Sequence, residues 1–115
     1  MKPGHVHVEV SDLEGTIAFF AKVLSMAPVY KNQTMATFSF GGTSIIVDKG
    51  TENTKMTIAF NSSDCDGDFA RLVGAGAIAI NEPTTQPWGP IRSAYLRGPG
   101  NLTIELEQSM SKPDI

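Results

Sequence analysis

The sequence predicts an α+β fold built from two β-α-β-β-β modules, whose mixed sheets curl around a shared cleft. Three observations carry this. Each half opens with period-two alternation of apolar and polar residues, each opening strand leads into one amphipathic helix, and the same order of elements then recurs. The chain has 115 residues, 41% of them hydrophobic, which suits one folded domain with a buried core. Within that domain the first module is expected over about 4–48, the second over about 55–108, and a frayed tail over 109–115.

Residues 4–10 alternate, with Val6, Val8 and Val10 on one side and His5, His7 and Glu9 on the other. Ser11 or Asp12 supplies the short polar oxygen that caps a helix. From Leu13 to about Leu24, Ile17, Phe20, Val23 and Leu24 form an apolar stripe, and Pro28 closes the unit. Residues 34–40 and 43–48 read as strands joined by a tight turn at Gly41-Gly42. The polar run from Lys49 to Thr54 is the best linker.

The pattern then restarts. Residues 55–61 form a strand with Ile58 and Phe60 on one face and Thr57, Ala59 and Asn61 on the other. Asp64 precedes a helix carrying Phe69, Leu72 and Val73, which ends near Gly74-Ala-Gly76. Ala77–Ile80 is a short strand, and Glu82 to Pro90 is a proline-bracketed loop around Trp88. Ile91–Leu96 and Leu102–Glu107 are strands joined across Gly98-Pro-Gly-Asn101. Laying the halves together places His5 on Thr57, Asp12 on Asp64, Ile17 on Phe69 and Phe20 on Leu72. A longer displacement places Ile45-Ile46-Val47 on Ile104-Glu105-Leu106, and the Trp88 loop accounts for the difference.

Composition narrows the function classes. The net charge is −3 and the nine Lys and Arg are scattered, which argues against a nucleic-acid partner. No apolar run approaches the ~18 residues of a membrane span, and the N-terminus alternates instead of forming an apolar leader, so a cytoplasmic protein is expected. Cys65 is the single cysteine, which excludes an intramolecular disulfide. Asp64, Asp66 and Asp68 oppose thiolate formation there, so Cys65 reads as structural.

The opening His5-Val-His-Val-Glu-Val-Ser-Asp-Leu13, with Ile17-Ala-Phe-Phe20 and Val23-Leu24, resembles the first strand and helix of the vicinal oxygen chelate superfamily. Trp88-Gly89, Arg92 and Gly100-Asn-Leu-Thr-Ile-Glu-Leu106 are similar to its closing segment. That superfamily groups glyoxalase I, extradiol dioxygenases, fosfomycin-resistance enzymes and bleomycin-resistance proteins, so the resemblance implies the fold more strongly than any one activity. In metal-dependent members four strands hold the cation, and the matching positions here are His5, Ile46, Thr57 and Glu105. Ile46 cannot coordinate, and Thr57 stands where the relatives have histidine or an equivalent ligand. The resemblance also implies a homodimer.

Two functional readings follow. The first is a small-molecule binding protein of the bleomycin-resistance type, holding an aromatic or cationic compound without a metal or other cofactor. Its contacts would be Trp88, Arg92, Thr57 and Glu105, with Phe38, Phe40 and Tyr30 as aromatic wall. The second is a metal-dependent enzyme similar to glyoxalase I (a lactoylglutathione lyase) or to the dioxygenases, using zinc, nickel, manganese or iron. There His5, His7 and Glu105 would supply two imidazoles and a carboxylate, since His7 lies about 6.6 Å along the strand from His5 on the same face. Glu105 is also the candidate general base, because a carboxylate in a partly apolar cleft is made more basic. The missing ligands favour the first reading.

Overall fold

A computed structural model describes Met1, residues 4–87 and residues 89–110. The elements are β1 (His5–Val10), α1 (Leu13–Lys22), β2 (Tyr30–Lys31), β3 (Met35–Phe40), β4 (Thr43–Lys49), β5 (Met56–Asn61), α2 (Cys65–Ala75), β6 (Ile78–Thr85), β7 (Ile91–Arg97) and β8 (Leu102–Ser109). They form two four-stranded mixed sheets, ordered β1-β4-β3-β2 and β5-β8-β7-β6. The chain divides into two compact units, one running to Met56 and including Pro99–Asn101, the other comprising Thr57–Gly98 and the chain from Leu102 onward.

In the first unit β1 runs parallel to β4, with His5 opposite Ser44 and His7 opposite Ile46. The other neighbours are antiparallel, and Phe38 lies opposite Ile45. Alternation then sorts the residues. Val8, Val10, Ala36, Phe38 and Val47 are buried on the face that α1 covers with Leu13, Ile17, Phe20 and Val23. The Phe20 and Phe38 rings sit 4.3 Å apart at the centre of this core. Asp12 caps α1 by accepting from the Gly15 N–H at 2.9 Å, while Ser11 turns to Asn53. The helix stops at Lys22, before the expected Leu24, and the chain reverses through Ser25 at φ 56°.

The polar run after β4 is not a loose linker. Glu9 and Thr54 exchange hydrogen bonds, the Glu52 N–H donates to the Glu9 carboxylate, and the Gly50 N–H donates to the Val10 carbonyl. The segment therefore covers the outer edge of β1 over its second half, supplying partners that an edge strand lacks.

In the second unit β5 and β8 are neighbours. The bonds Met56 N–H to Asn101 carbonyl and Ser62 N–H to Glu107 carbonyl advance together, as in a parallel pair. Strands β6, β7 and β8 are antiparallel. Ile58, Leu72, Ala94, Leu96, Leu102, Ile104 and Leu106 are buried together with the Cys65 thiol. Asp64 caps α2 through the Gly67 N–H, and Gly76 at φ 124° closes it in a conformation that a side chain would strain.

Two boundaries and one core assignment correct the sequence reading. Strand β6 continues through Glu82 and Pro83 to Thr85, because at a sheet edge proline's missing N–H costs no ladder bond. Ser109 belongs to β8, paired with Ile91, so the strand outlasts the expected tail start; residues 111–115 lie outside the described residues. Val73 stays 39% exposed and is not part of the core stripe. No helix among the described residues is long and apolar enough to cross a membrane.

Candidate ligand-binding face

Each sheet has one face covered by its helix and one face that is not. On the uncovered face of the first unit lie His5 and His7 of β1, Ser44, Ile46 and Asp48 of β4, and Met35, Thr37 and Ser39 of β3, as the strand register requires. His7 Nδ1 meets Asp48 Oδ2 at 2.7 Å, with both side chains solvent-accessible. The His5 and His7 rings stand edge to face with centroids 5.0 Å apart. Glu9 is on the same side, but its carboxylate is engaged by the Glu52 N–H.

On the uncovered face of the second unit, β8 presents Thr103, Glu105 and Glu107, each half-buried. Across from them β7 presents Arg97, Tyr95 and Ser93, with Tyr95 directly opposite Glu105 and Ser93 opposite Glu107. Ser93 is buried and accepts from Gln86 Nε2 at 2.7 Å. Thr57 lies on β5 and is exposed. Burial pushes the Tyr95 phenol above its ordinary value, and the Glu105 carboxylate raises it further by charge and by hydrogen bonding, with Glu107 adding to the effect. Among the described residues, no lysine or arginine forms an ion pair with Glu105 or Glu107. The face is therefore anionic with one aromatic ring set beside the charges.

Arg92 is not part of this face. It pairs with Gln108 in the β7–β8 register, on the side that α2 covers. Its Nε and Nη2 grip the two Asp66 carboxylate oxygens at 2.7 and 2.8 Å, and Nη1 donates to Thr85 Oγ1 at 3.1 Å. This bidentate pairing holds Asp66 below the usual carboxylate range and raises the guanidinium further. The expectation that Arg92 contacts the ligand beside Glu105 is corrected: adjacent strand positions point to opposite faces, and Arg92 has the parity of Ala94 and Leu96.

Phe38 is also corrected. It is fully buried against Phe20 under α1 and offers no wall to a ligand. Phe40 shares that side, its ring 6.5 Å from Phe20, whereas Tyr30 on β2 is exposed. Trp88 lies outside the described residues. Cys65 is buried and its thiol is raised, by burial first and then by Asp66, in keeping with a structural thiol. Sequence reasoning missed Tyr95 as a partner of Glu105; its signal was present, since pairing β7 with β8 across the Gly98–Asn101 turn brings these two side by side.

The four positions that hold a cation in metal-dependent relatives do not form a fitting donor set here. Ile46 has no donor atom, and Thr57 offers only a neutral hydroxyl. Among the described residues, no three His, Cys, Asp or Glu side chains gather as a metal-holding group.

Two β-α-β-β-β units, each with a mixed sheet covered on one side by a helix, define a paired-module α+β protein. The model of the Glyoxalase/Bleomycin resistance protein/Dioxygenase superfamily matches residues 2–106, and the chain belongs to that superfamily. No curated protein matches the sequence. Similar solved structures include a glyoxalase/bleomycin resistance protein/dioxygenase from Nocardioides (18% identity, TM-score 0.80, covering 100% of this chain and 89% of that one). A glyoxalase-related enzyme from Fulvimarina pelagi is 20% identical at a TM-score of 0.78, over 94% of this chain and 88% of that one. A virulence protein from Salmonella typhimurium is 26% identical at 0.70, over 94% and 96%.

Proposed function

We propose that this protein binds a cationic, aromatic small molecule on the uncovered sheet face of its second unit, in the manner of a bleomycin-resistance protein. The observation that carries the reading is the Glu105, Glu107 and Tyr95 group. Two half-buried carboxylates on one strand, with a tyrosine ring across from the first, attract a cation by charge while the ring supplies a flat apolar surface. Arg92 is held by Asp66 on the opposite face, and among the described residues neither Glu105 nor Glu107 is in an ion pair. Binding of this kind needs no proton transfer and no metal.

Calorimetric titration tests the reading. A planar aromatic cation is expected to bind at least tenfold more tightly than its neutral isostere, and Glu105→Gln to weaken the cation about tenfold, equivalent to about 1.4 kcal/mol. Equal affinity for the charged and neutral ligands would refute it. The same reading includes a homodimer, supported by Ile78 and Ile80, 63% and 43% exposed on edge strand β6. Light scattering should report twice the chain's mass; a single chain's mass would remove this part.

A further inference from the structure

We propose that His5 and His7, with Asp48 orienting His7, form a chelating site for a late first-row divalent cation such as zinc or nickel on the uncovered face of the first unit. The site is separate from the four-position set of the metal-dependent relatives: it shares only His5, and it uses neither Glu105 nor the positions of Ile46 and Thr57. It stands independently of the proposed ligand face.

The strand supplies the geometry. Residues two apart on β1 project to one side, and the His5 and His7 rings stand edge to face with centroids 5.0 Å apart. Metal–imidazole bonds are about 2.0–2.1 Å, so two rings that share an ion must bring their nitrogens within about 4 Å of each other. In the proposed site the rings, whose centroids are 5.0 Å apart, turn about their side-chain bonds to bring one nitrogen of each to that spacing.

Asp48 supplies the chemistry. A carboxylate only accepts, so the 2.7 Å contact with Nδ1 makes that nitrogen the donor. The neutral imidazole then carries its free lone pair on Nε2, the nitrogen left for a cation. A carboxylate behind a ligating histidine fixes the tautomer, raises ligand basicity and offsets part of the cation's charge. The backbone of Asp48 is fixed inside the sheet, paired with Glu9 of β1 on one side and Met35 of β3 on the other. His7 and Asp48 are solvent-accessible, with side chains 56% and 42% exposed, so the ion's remaining positions stay open to water or to a small chelating ligand. Imidazole donors suit zinc, nickel and copper over magnesium or calcium.

The test is calorimetric titration of the untagged full chain with zinc chloride and, separately, nickel chloride, alongside proton spectra of the two histidine rings. One ion per chain should bind, and both rings should shift together. His5→Ala and His7→Ala should each weaken binding at least tenfold, and Asp48→Asn ten- to 100-fold. Glu105→Gln should bind as the parent does. All four positions are at least partly solvent-accessible, and circular dichroism confirms that each variant is folded before it is titrated. Absence of saturable binding, binding that survives His7→Ala, or binding that Glu105→Gln abolishes would each overturn the proposal. An unchanged affinity in Asp48→Asn would overturn the assignment of Asp48 as the positioning residue.

Discussion

Glu105 and Arg92 are both half-buried polar residues on neighbouring strands, yet they do opposite things. Glu105 lies on the uncovered face beside Tyr95, and Arg92 lies under α2 on Asp66. The difference is strand parity: one residue of offset moves a side chain to the other face of a sheet. The Glu105–Tyr95 pairing makes a prediction. In a Tyr30→Phe background, the remaining tyrosine should ionise above the usual phenol range in an ultraviolet pH titration. Glu105→Gln should move that midpoint down, because the charge next to the phenolate is removed. A midpoint that stays put would show that burial alone sets it. Because the folded value lies above the unfolded one, the associated stability is present below about pH 10 and is lost as pH rises through the folded value.

At the scale of elements, the helix of each module is tied down by the same device, an aspartate accepting from the N–H of a glycine three residues on: Asp12 with Gly15, and Asp64 with Gly67. The second helix has an additional clamp, Asp66 to Arg92. Asp66 is depressed by its hydrogen bonds to Arg92, so the stability it contributes is full above its unfolded value near 3.8 and is lost as pH falls through the lower folded value. In thermal melts Asp66→Asn should therefore be less stable than the parent at pH 7, with the gap closing below about pH 4. The gap should also shrink in high salt, since the pair is solvent-accessible and screened. A pH-independent gap would assign the loss to packing instead of charge.

These elements show what the sequence could and could not reveal. The two sheets, the caps and the parity of His5, His7, Ser44, Ile46, Asp48, Thr57, Glu105 and Glu107 follow from alternation and spacing, which act locally. The placement of Phe38 did not, because an apolar strand face reads the same whether a helix or a ligand covers it. Its contact with Phe20 is a tertiary fact. Arg92 was misassigned because its partner lies 26 residues away on α2. The polar run after β4 looked like a linker because hydrophilic composition does not reveal that its backbone and side chains return to Glu9 and Ser11.

For the molecule as a whole, superfamily membership sets the architecture and leaves the chemistry to individual side chains. Here the loss of a donor at Ile46 coincides with a first-unit face rich in imidazole and a second-unit face rich in carboxylate. The central claim is that the carboxylate face receives the ligand. Backbone amide spectra recorded during titration with a planar aromatic cation test it most directly. Shifts are expected to concentrate at residues 93–97 and 103–107, with Tyr95 and Glu105 foremost, and Glu105→Gln should diminish them. Shifts centred on α2 around Asp66, or on His5 and His7, would contradict it.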